Sequence, residues 1–269
     1  MDIQSGYAPA DGTHLYYEFA GSGSDVILLH PGQAGIEMWD PQFEEFARHH
    51  RTVRYDARGF GRSERPDREY TFYGDLAAVM DALHIERAGL VGCSLGGRTI
   101  LDFALAYPDR VACMVLVNPG MSGYQFVHLD DVGAAIRAAR ERGDRAAMVD
   151  LEVRTWFDGV GRSAADTDPV VRAKVFRATT ERNARDRARG NNPPFRELDA
   201  ASRLREIGAP TLIVESELDQ LDIHNICAQL AMGIRGAERV VIPNAAHLVN
   251  LERPKEFAAV VLPFLAAHP

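Results

Sequence analysis

Three short runs of the chain are apolar at nearly every position: DVILLH (25–30), AGLVGC (88–93) and VACMVLV (111–117). A strand with one wet face alternates apolar and polar residues, so unbroken runs of this length belong to strands covered on both faces. Covering both faces takes helices, and the sequence places helical patterns between the runs. In TFYGDLAAVMDALHI, Phe72, Leu76, Val79, Met80 and Leu83 fall on one helical face. In MWDPQFEEFARHH, Asp40 has the chemistry of an N-cap, with Pro41 in the first helical position. RTILDFALAYP ends before Pro108, TVRYD reads as a further strand, and SGYAPADGTHLYYEF reads as a hairpin around Asp11 and Gly12. Strands alternating with helices predict an α/β fold with a mostly parallel central sheet.

The alternation stops after Gly120 and resumes with APTLIVES, HNICAQLAMGI, ERVVIPN and KEFAAVVLPFLAA. Between Tyr124 and Arg203 the patterns are helical: DDVGAAIRAARERG, RAAMVDLEVRTWFDG and DPVVRAKVFRATTERNARDRA, the last with Asp168 as cap before Pro169. We therefore expect a core of residues 1–123 and 204–269 with a helical cap insertion over 124–203. Acidic residues interleave with the insertion's many arginines, which reads as a solvated face. The 46% hydrophobic content of 269 residues supports a sizeable core. A net charge of -8 argues against a nucleic-acid partner. Cys93, Cys113 and Cys227 have neither metal-type nor disulfide-framework spacing. There is no signal-peptide pattern at the start and no apolar run near the ~18 residues that span a bilayer. The expectation is a cytoplasmic protein acting on a small molecule, without a membrane.

Within this frame, GLVGCSLGG places Ser94 between Gly92 and Gly96, after a strand and before a helix. Small neighbours at those spacings allow the sharp strand-to-helix turn that lifts a nucleophilic hydroxyl above the sheet. The same turn puts the Leu95 N–H at a helix N-terminus, where it stabilises an oxyanion. A serine hydroxyl needs a base. His247, in VVIPNAAHLVNLERP, follows a strand at the sheet's carboxyl edge and is the choice. The base needs an acid, and TLIVESELDQLD offers Glu215, Glu217, Asp219 and Asp222. Asp219, in the turn after the strand, is preferred and Asp222 comes second. A second oxyanion donor should come from LLHPGQAG: Gly32 through its backbone N–H, with Gln33 as the alternative and His30 organising the loop. Chemistry of this kind requires no metal and no organic cofactor.

LLHPGQAG, MWDPQ, RYDARGFGRSERP, VGCSLGG, PTLIVESELD and NAAHLVNLERP together resemble the α/β-hydrolase superfamily, in its lidded serine-hydrolase branch. The resemblance implies the α/β-hydrolase fold with a helical cap, a Ser94–Asp219–His247 triad, and an oxyanion hole at Gly32 and Leu95. The turn held by Asp56 and Arg58 is architectural in this family. Two positions depart from its pattern: Pro31 stands where glycine usually follows the histidine, and Cys93 precedes the nucleophile. Ser94 separates the chain from the branches that use aspartate there. The MWDPQFEEFA segment is similar to that of enol-lactone hydrolases, with Trp39 at a like offset from the oxyanion loop. Gln33, Trp39, Cys93, Met121 and Trp156 are candidate pocket residues, with Tyr124, Phe126, Phe157, His128 and His224 beside them. The expected activity is cleavage of a carboxylic ester or (enol-)lactone. The alternatives are a carbon–carbon bond hydrolase, a cofactor-free perhydrolase, or a ligand sensor on a hydrolase frame.

Overall fold

A computed structural model describes residues 1–64, 68–128, 130–188 and 194–269. Arg65 and Pro66, which end the RYDARGFGRSERP stretch, lie outside the described residues, as does 189–193 of the expected insertion. The chain opens with the hairpin of β1 (Gln4–Ala10) and β2 (Thr13–Ala20), then runs through β3 (Asp25–Leu29), α1 (Asp40–Phe46), β4 (Arg51–Tyr55) and α2 (Phe72–Ala82). Next come β5 (Ala88–Cys93), α3 (Leu95–Ala106) and β6 (Val111–Val117). Three helices follow, α4 (Asp130–Glu141), α5 (Arg145–Val153) and α6 (Pro169–Ala188), with a π-helical turn over Arg154–Asp158 after α5. The short α7 (Ala200–Arg203) leads to β7 (Thr211–Ser216), α8 (Leu221–Gly233), β8 (Glu238–Ile242), α9 (Val249–Glu252) and α10 (Pro254–Ala267).

The strands form one eight-stranded sheet in the order β1-β2-β4-β3-β5-β6-β7-β8. β2 runs antiparallel to β1 and β4, and every other pairing is parallel. Successive residues of the apolar runs divide between two cores. Ile27, Leu90 and Met114 pack with Leu76 and Met80 of α2, Ile100 and Phe103 of α3 and Ile226 of α8. Leu28, Val91 and Val115 pack with Phe43 and Phe46 of α1 and Phe257 and Val261 of α10. This two-sided burial is the physical reason for the unbroken apolar runs.

The order of crossovers decides where a site forms. From β3 the chain moves outward to β4, then returns past β3 to β5. Loops leaving β3 and β5 therefore part in opposite directions, and the crevice between them is where open α/β sheets bind ligands. The loop from His30 and the turn at Ser94 both open there.

One local expectation is corrected. Asp40 is not the N-cap of α1: Trp39 takes that position after a 3-10 turn over Ile36–Trp39, and Asp40 is already helical. Its carboxylate instead bonds Arg54 and Lys174, each at 2.7 Å. Asp168 does cap α6, accepting from the N–H groups of Val170 and Val171 at 2.8 and 3.0 Å.

At the β5–α3 junction, a Cβ on Gly96 would lie 2.2 Å from the Leu29 carbonyl oxygen, and one on Gly92 would lie 2.5 Å from the carbonyl carbon of Gly96. The obstacles are backbone atoms, so no side chain can rotate aside. We expect Gly96→Ala to destabilise the fold by about 1–3 kcal/mol. A urea unfolding curve should show a lower midpoint at an unchanged slope.

Candidate active site

Ser94 joins β5 to α3 at φ 52 and ψ -109, a positive φ that non-glycine residues seldom adopt. Three backbone bonds hold it there. The Ser94 N–H donates to the Val117 carbonyl at 3.0 Å, and the Ser94 carbonyl accepts from Arg98 and Gly120 at 3.0 and 2.9 Å. The side chain does not cap α3, and the residue is half-buried. Leu95 opens the helix, where the first N–H groups have no intrahelical partner.

His247 and Asp219 come together from separate loops. His247 Nδ1 and Asp219 Oδ2 are 2.7 Å apart, and both side chains are fully buried. Asp219 Oδ1 accepts from the Gln220 N–H at 2.7 Å, which orients the carboxylate. With Nδ1–H given to the carboxylate, a neutral imidazole keeps its lone pair on Nε2. That atom is buried and has no hydrogen-bond partner among the described residues. Trp156 lies against the imidazole, ring centroids 4.5 Å apart.

Two residues tie the His247 main chain to the strand ends. The Cys93 thiol approaches the His247 carbonyl at 3.7 Å. Burial, with the Asp219 charge adding to it, pushes this thiol well above its usual range, so it stays a neutral donor. Asn118 Nδ2 donates to the same carbonyl at 2.8 Å and to Ser216 Oγ at 2.7 Å, while its Oδ1 accepts from the Ser216 N–H at 2.9 Å. Asn118 was missed at the sequence level. Its one signal is a polar residue directly after the VACMVLV run.

The loop after β3 is pinned by His30. Its Nε2 accepts from the Ala57 N–H at 2.9 Å, which leaves Nδ1 to donate to the Pro31 carbonyl at 2.8 Å. Gly32 is half-buried, and among the described residues nothing but its chain neighbours approaches the place where a Cβ would stand. Gln33 Oε1 is buried and has no hydrogen-bond partner among the described residues. Among the described residues no cluster of three or more His, Cys, Asp or Glu is placed to hold a metal ion.

A family model described as "Alpha/beta hydrolase family" matches residues 26–260. The chain belongs to the alpha/beta hydrolase family. Curated relatives of this family member include a 2-hydroxy-6-oxononadienedioate/2-hydroxy-6-oxononatrienedioate hydrolase of Paraburkholderia xenovorans. It is 29% identical over 94% of this chain and 90% of the relative. A carboxylesterase of Bacillus subtilis, YbfK, is 25% identical over 94% of this chain and 84% of the relative. Among solved structures, the enol-lactonase from Burkholderia xenovorans is 26% identical and superposes with a TM-score of 0.77 over 97% of this chain and all of that one. Distant homologues thus include esterases, lactonases and carbon–carbon bond hydrolases.

The other carboxylates weighed for this alpha/beta hydrolase have different engagements. Asp222 accepts from Tyr124 Oη at 3.0 Å and from the His128 N–H at 2.7 Å, anchoring the chain that leads into α4. Glu217 accepts from the Asn244 N–H at 2.8 Å. Glu215 meets His224 Nδ1 at 2.5 Å and accepts from Arg239 Nε at 2.6 Å. Of the pocket candidates, Trp39 is fully buried and packs on Phe257, centroids 6.1 Å apart, and Phe157 and Met121 are buried as well. Tyr124 and Phe126 meet edge to face at 5.3 Å and lie, half-buried, along the opposite core from Trp39. No helix among the described residues is long and apolar enough to cross a membrane.

Burial on its own raises the Glu215 carboxyl, but its bonds to Arg239 and His224 outweigh that and hold it below its ordinary value of 4.5. The unfolded chain therefore binds the extra proton first. The stabilisation is present above about pH 4.5 and is lost as pH falls through the depressed folded value. We expect Glu215→Gln to lower stability at neutral pH by about 1–3 kcal/mol. The variant should also flatten the acid-side fall, as read by urea midpoints from pH 7 down to pH 3.

Proposed function

We propose that this alpha/beta hydrolase cleaves a carboxylic ester or (enol-)lactone of a small, apolar to moderately polar substrate through an acyl-enzyme on Ser94. The observation that carries the reading is His247 Nε2: a buried acceptor, unpartnered among the described residues, on an imidazole oriented by Asp219. Burial of a polar atom without a partner costs free energy, and a base awaiting its proton donor is a physical reason to keep one. The strained turn at Ser94 supports the assignment of the nucleophile. The enol-lactonase and carboxylesterase likenesses support the substrate class.

In the proposed reaction the Ser94 Oγ attacks the substrate carbonyl carbon while His247 Nε2 takes the hydroxyl proton. The oxyanion receives hydrogen bonds from the N–H groups of Leu95 and Gly32, each donor worth about 2.7–4 kcal/mol of barrier. His247 then gives its proton to the departing oxygen. In a lactone that oxygen stays on the acyl chain. A water then attacks the acyl-enzyme, losing its proton to His247, and the acid leaves as Ser94 regains its hydrogen. Asp219 orients the imidazole throughout and stabilises its charged form. Residues 124–203 form the cap in this reading, with Trp156 shielding the imidazole from water. The Paraburkholderia xenovorans relative gives one further reading, carbon–carbon bond hydrolysis by the same residues.

The test is chemical. A fluorophosphonate probe should label Ser94, and both Ser94→Ala and His247→Ala should lose labelling. Turnover of p-nitrophenyl esters should fall by about 10⁴–10⁶-fold in each variant. Parental turnover in Ser94→Ala would overturn the nucleophile assignment. A panel of aryl esters, enol lactones and vinylogous diketones separates ester or lactone hydrolysis from carbon–carbon cleavage.

A further inference from the structure

A glycine in an oxyanion loop poses a mechanical problem. Glycine is the residue freest to rotate, and a donor that wanders does not stabilise a charge. Apart from its chain neighbours, no atom of the described residues stands within 4 Å of where a Gly32 side chain would begin, so packing on that side does not restrain it. Its two flanking peptide planes are instead held one by one. In a planar trans peptide, the carbonyl of one residue and the N–H of the next point in opposite directions. His30 Nδ1 binds the Pro31 carbonyl at 2.8 Å and so directs the Gly32 N–H the other way. The Gly32 carbonyl accepts from Arg182 Nη1 at 2.8 Å, which directs the Gln33 N–H away from the arginine. With both planes pinned, the two torsions of Gly32 are set.

The pins differ in origin. His30 sits at the end of β3, two residues from Gly32. Arg182 lies on α6 and reaches back 150 positions in sequence. It is itself braced: Nη2 forms an ion pair with the carboxylate of Glu152 on α5 and donates to Asn183 Oδ1 at 3.0 Å. Glu152 is buried, so the guanidinium is held by a charge with little water to replace it. Nearby, Lys174 of α6 donates to the Glu37 carbonyl at 3.0 Å, so α6 meets the same loop a second time.

We infer that Arg182 is a positioning residue for the oxyanion loop: braced by Glu152, it sets the plane of the Gly32–Gln33 peptide and so, together with His30, the torsions of Gly32, and the loop that carries the Gly32 N–H keeps its shape only when α5 and α6 are seated on the core. This inference rests on the proposed acyl transfer at Ser94 and adds to it a role for the helical segment. That segment then does more than wall the site. Its docking completes the electrostatics of the transition state, and lifting it releases the carbonyl that keeps the loop in shape.

The experiment uses the full chain and p-nitrophenyl esters. Arg182→Met alone would strand the Glu152 carboxylate, so it is paired with the double variant Arg182→Met/Glu152→Leu, which removes both charges. Both should lose about 10- to 100-fold in kcat with KM within about threefold, because the lost alignment acts on the transition state. The double variant should keep the parental melting temperature to within a few degrees. Millimolar guanidinium should restore part of kcat to Arg182→Ala, and Arg182→Lys should fall between parent and Met. A folded double variant with parental kcat would overturn the inference, as would a loss confined to KM or one that guanidinium leaves untouched. Fluorophosphonate labelling of Ser94 separates the two proposals. Labelling retained with unchanged kcat in the double variant sinks the positioning role of Arg182 alone. Turnover retained in Ser94→Ala sinks the acyl transfer beneath it.

Discussion

The bend at Ser94 is the constraint from which the site's architecture follows. A serine at φ 52 costs about 1–3 kcal/mol relative to an ordinary backbone. The fold absorbs that cost through close approaches that only glycine permits. Gly96 lies against the Leu29 carbonyl, Gly97 against Pro119, and Gly92 against Gly96. These contacts join β5, α3, the end of β3 and the segment after β6 into one block. The bend is therefore a property of four chain segments, and relaxing it would require separating the central strands. A nucleophile assigned to this position would inherit its rigidity from the sheet itself.

The imidazole is placed by a different device. His247 lies on a loop after β8 and has no helix of its own to stand on. Asn118 supplies the missing frame. Its side chain uses both amide hydrogens and its carbonyl, linking the His247 main chain to Ser216 at the end of β7. Asn118 is also at positive φ, 40°, a conformation that asparagine tolerates better than most residues. A fully satisfied buried amide specifies a single geometry, because every alternative strands at least one polar atom. The loop that carries Asp219 follows Ser216 directly, so one asparagine registers both halves of the Asp219–His247 pair against the strand that carries Val117.

The eight-stranded, mostly parallel sheet was legible in the sequence because two-sided burial leaves an unmistakable run of apolar residues. Ser94 and Asp219 were legible as candidates because each follows such a run at the sheet's carboxyl edge, and His247 because it follows the shorter Val240–Ile242 stretch of the edge strand β8. Asp222 shows the limit of that logic. It lies three residues beyond Asp219, and only the fold reveals that its oxygens are taken by Tyr124 and His128. Asp40 fails for a related reason: it has cap chemistry, yet Arg54 and Lys174 claim its carboxylate and the helix starts a residue earlier. Asn118, Glu152 and Arg182 left almost no trace. Their roles depend on partners as far as 150 positions away, and nothing in local composition marks an arginine that binds a carbonyl among many that face water.

Long-range polar ties of this kind concentrate where the helices between β6 and β7 meet the core. Arg162 pairs with Glu252 at 2.8 Å, and Glu252 in turn accepts from the Ala246 N–H at 2.8 Å, one residue before His247. Gln220, next to Asp219, donates to the Thr155 carbonyl at 2.9 Å, and the Val160 N–H donates to the Leu218 carbonyl at 2.9 Å. Burial raises the Glu252 carboxyl, opposed by the Ala246 and Arg162 bonds, so this pair is not held for cheap stability. Buried ion pairs seldom stabilise a fold more than apolar residues of the same volume would. What they impose is register: an apolar contact tolerates a shift of an ångström, whereas a carboxylate bonded to both a guanidinium and a backbone N–H does not. The seam between helical segment and core is built from such contacts on the sides of Gly32, Asp219 and His247 alike. A substitution that swaps one of them for well-packed apolar side chains should therefore keep the fold and blur the geometry.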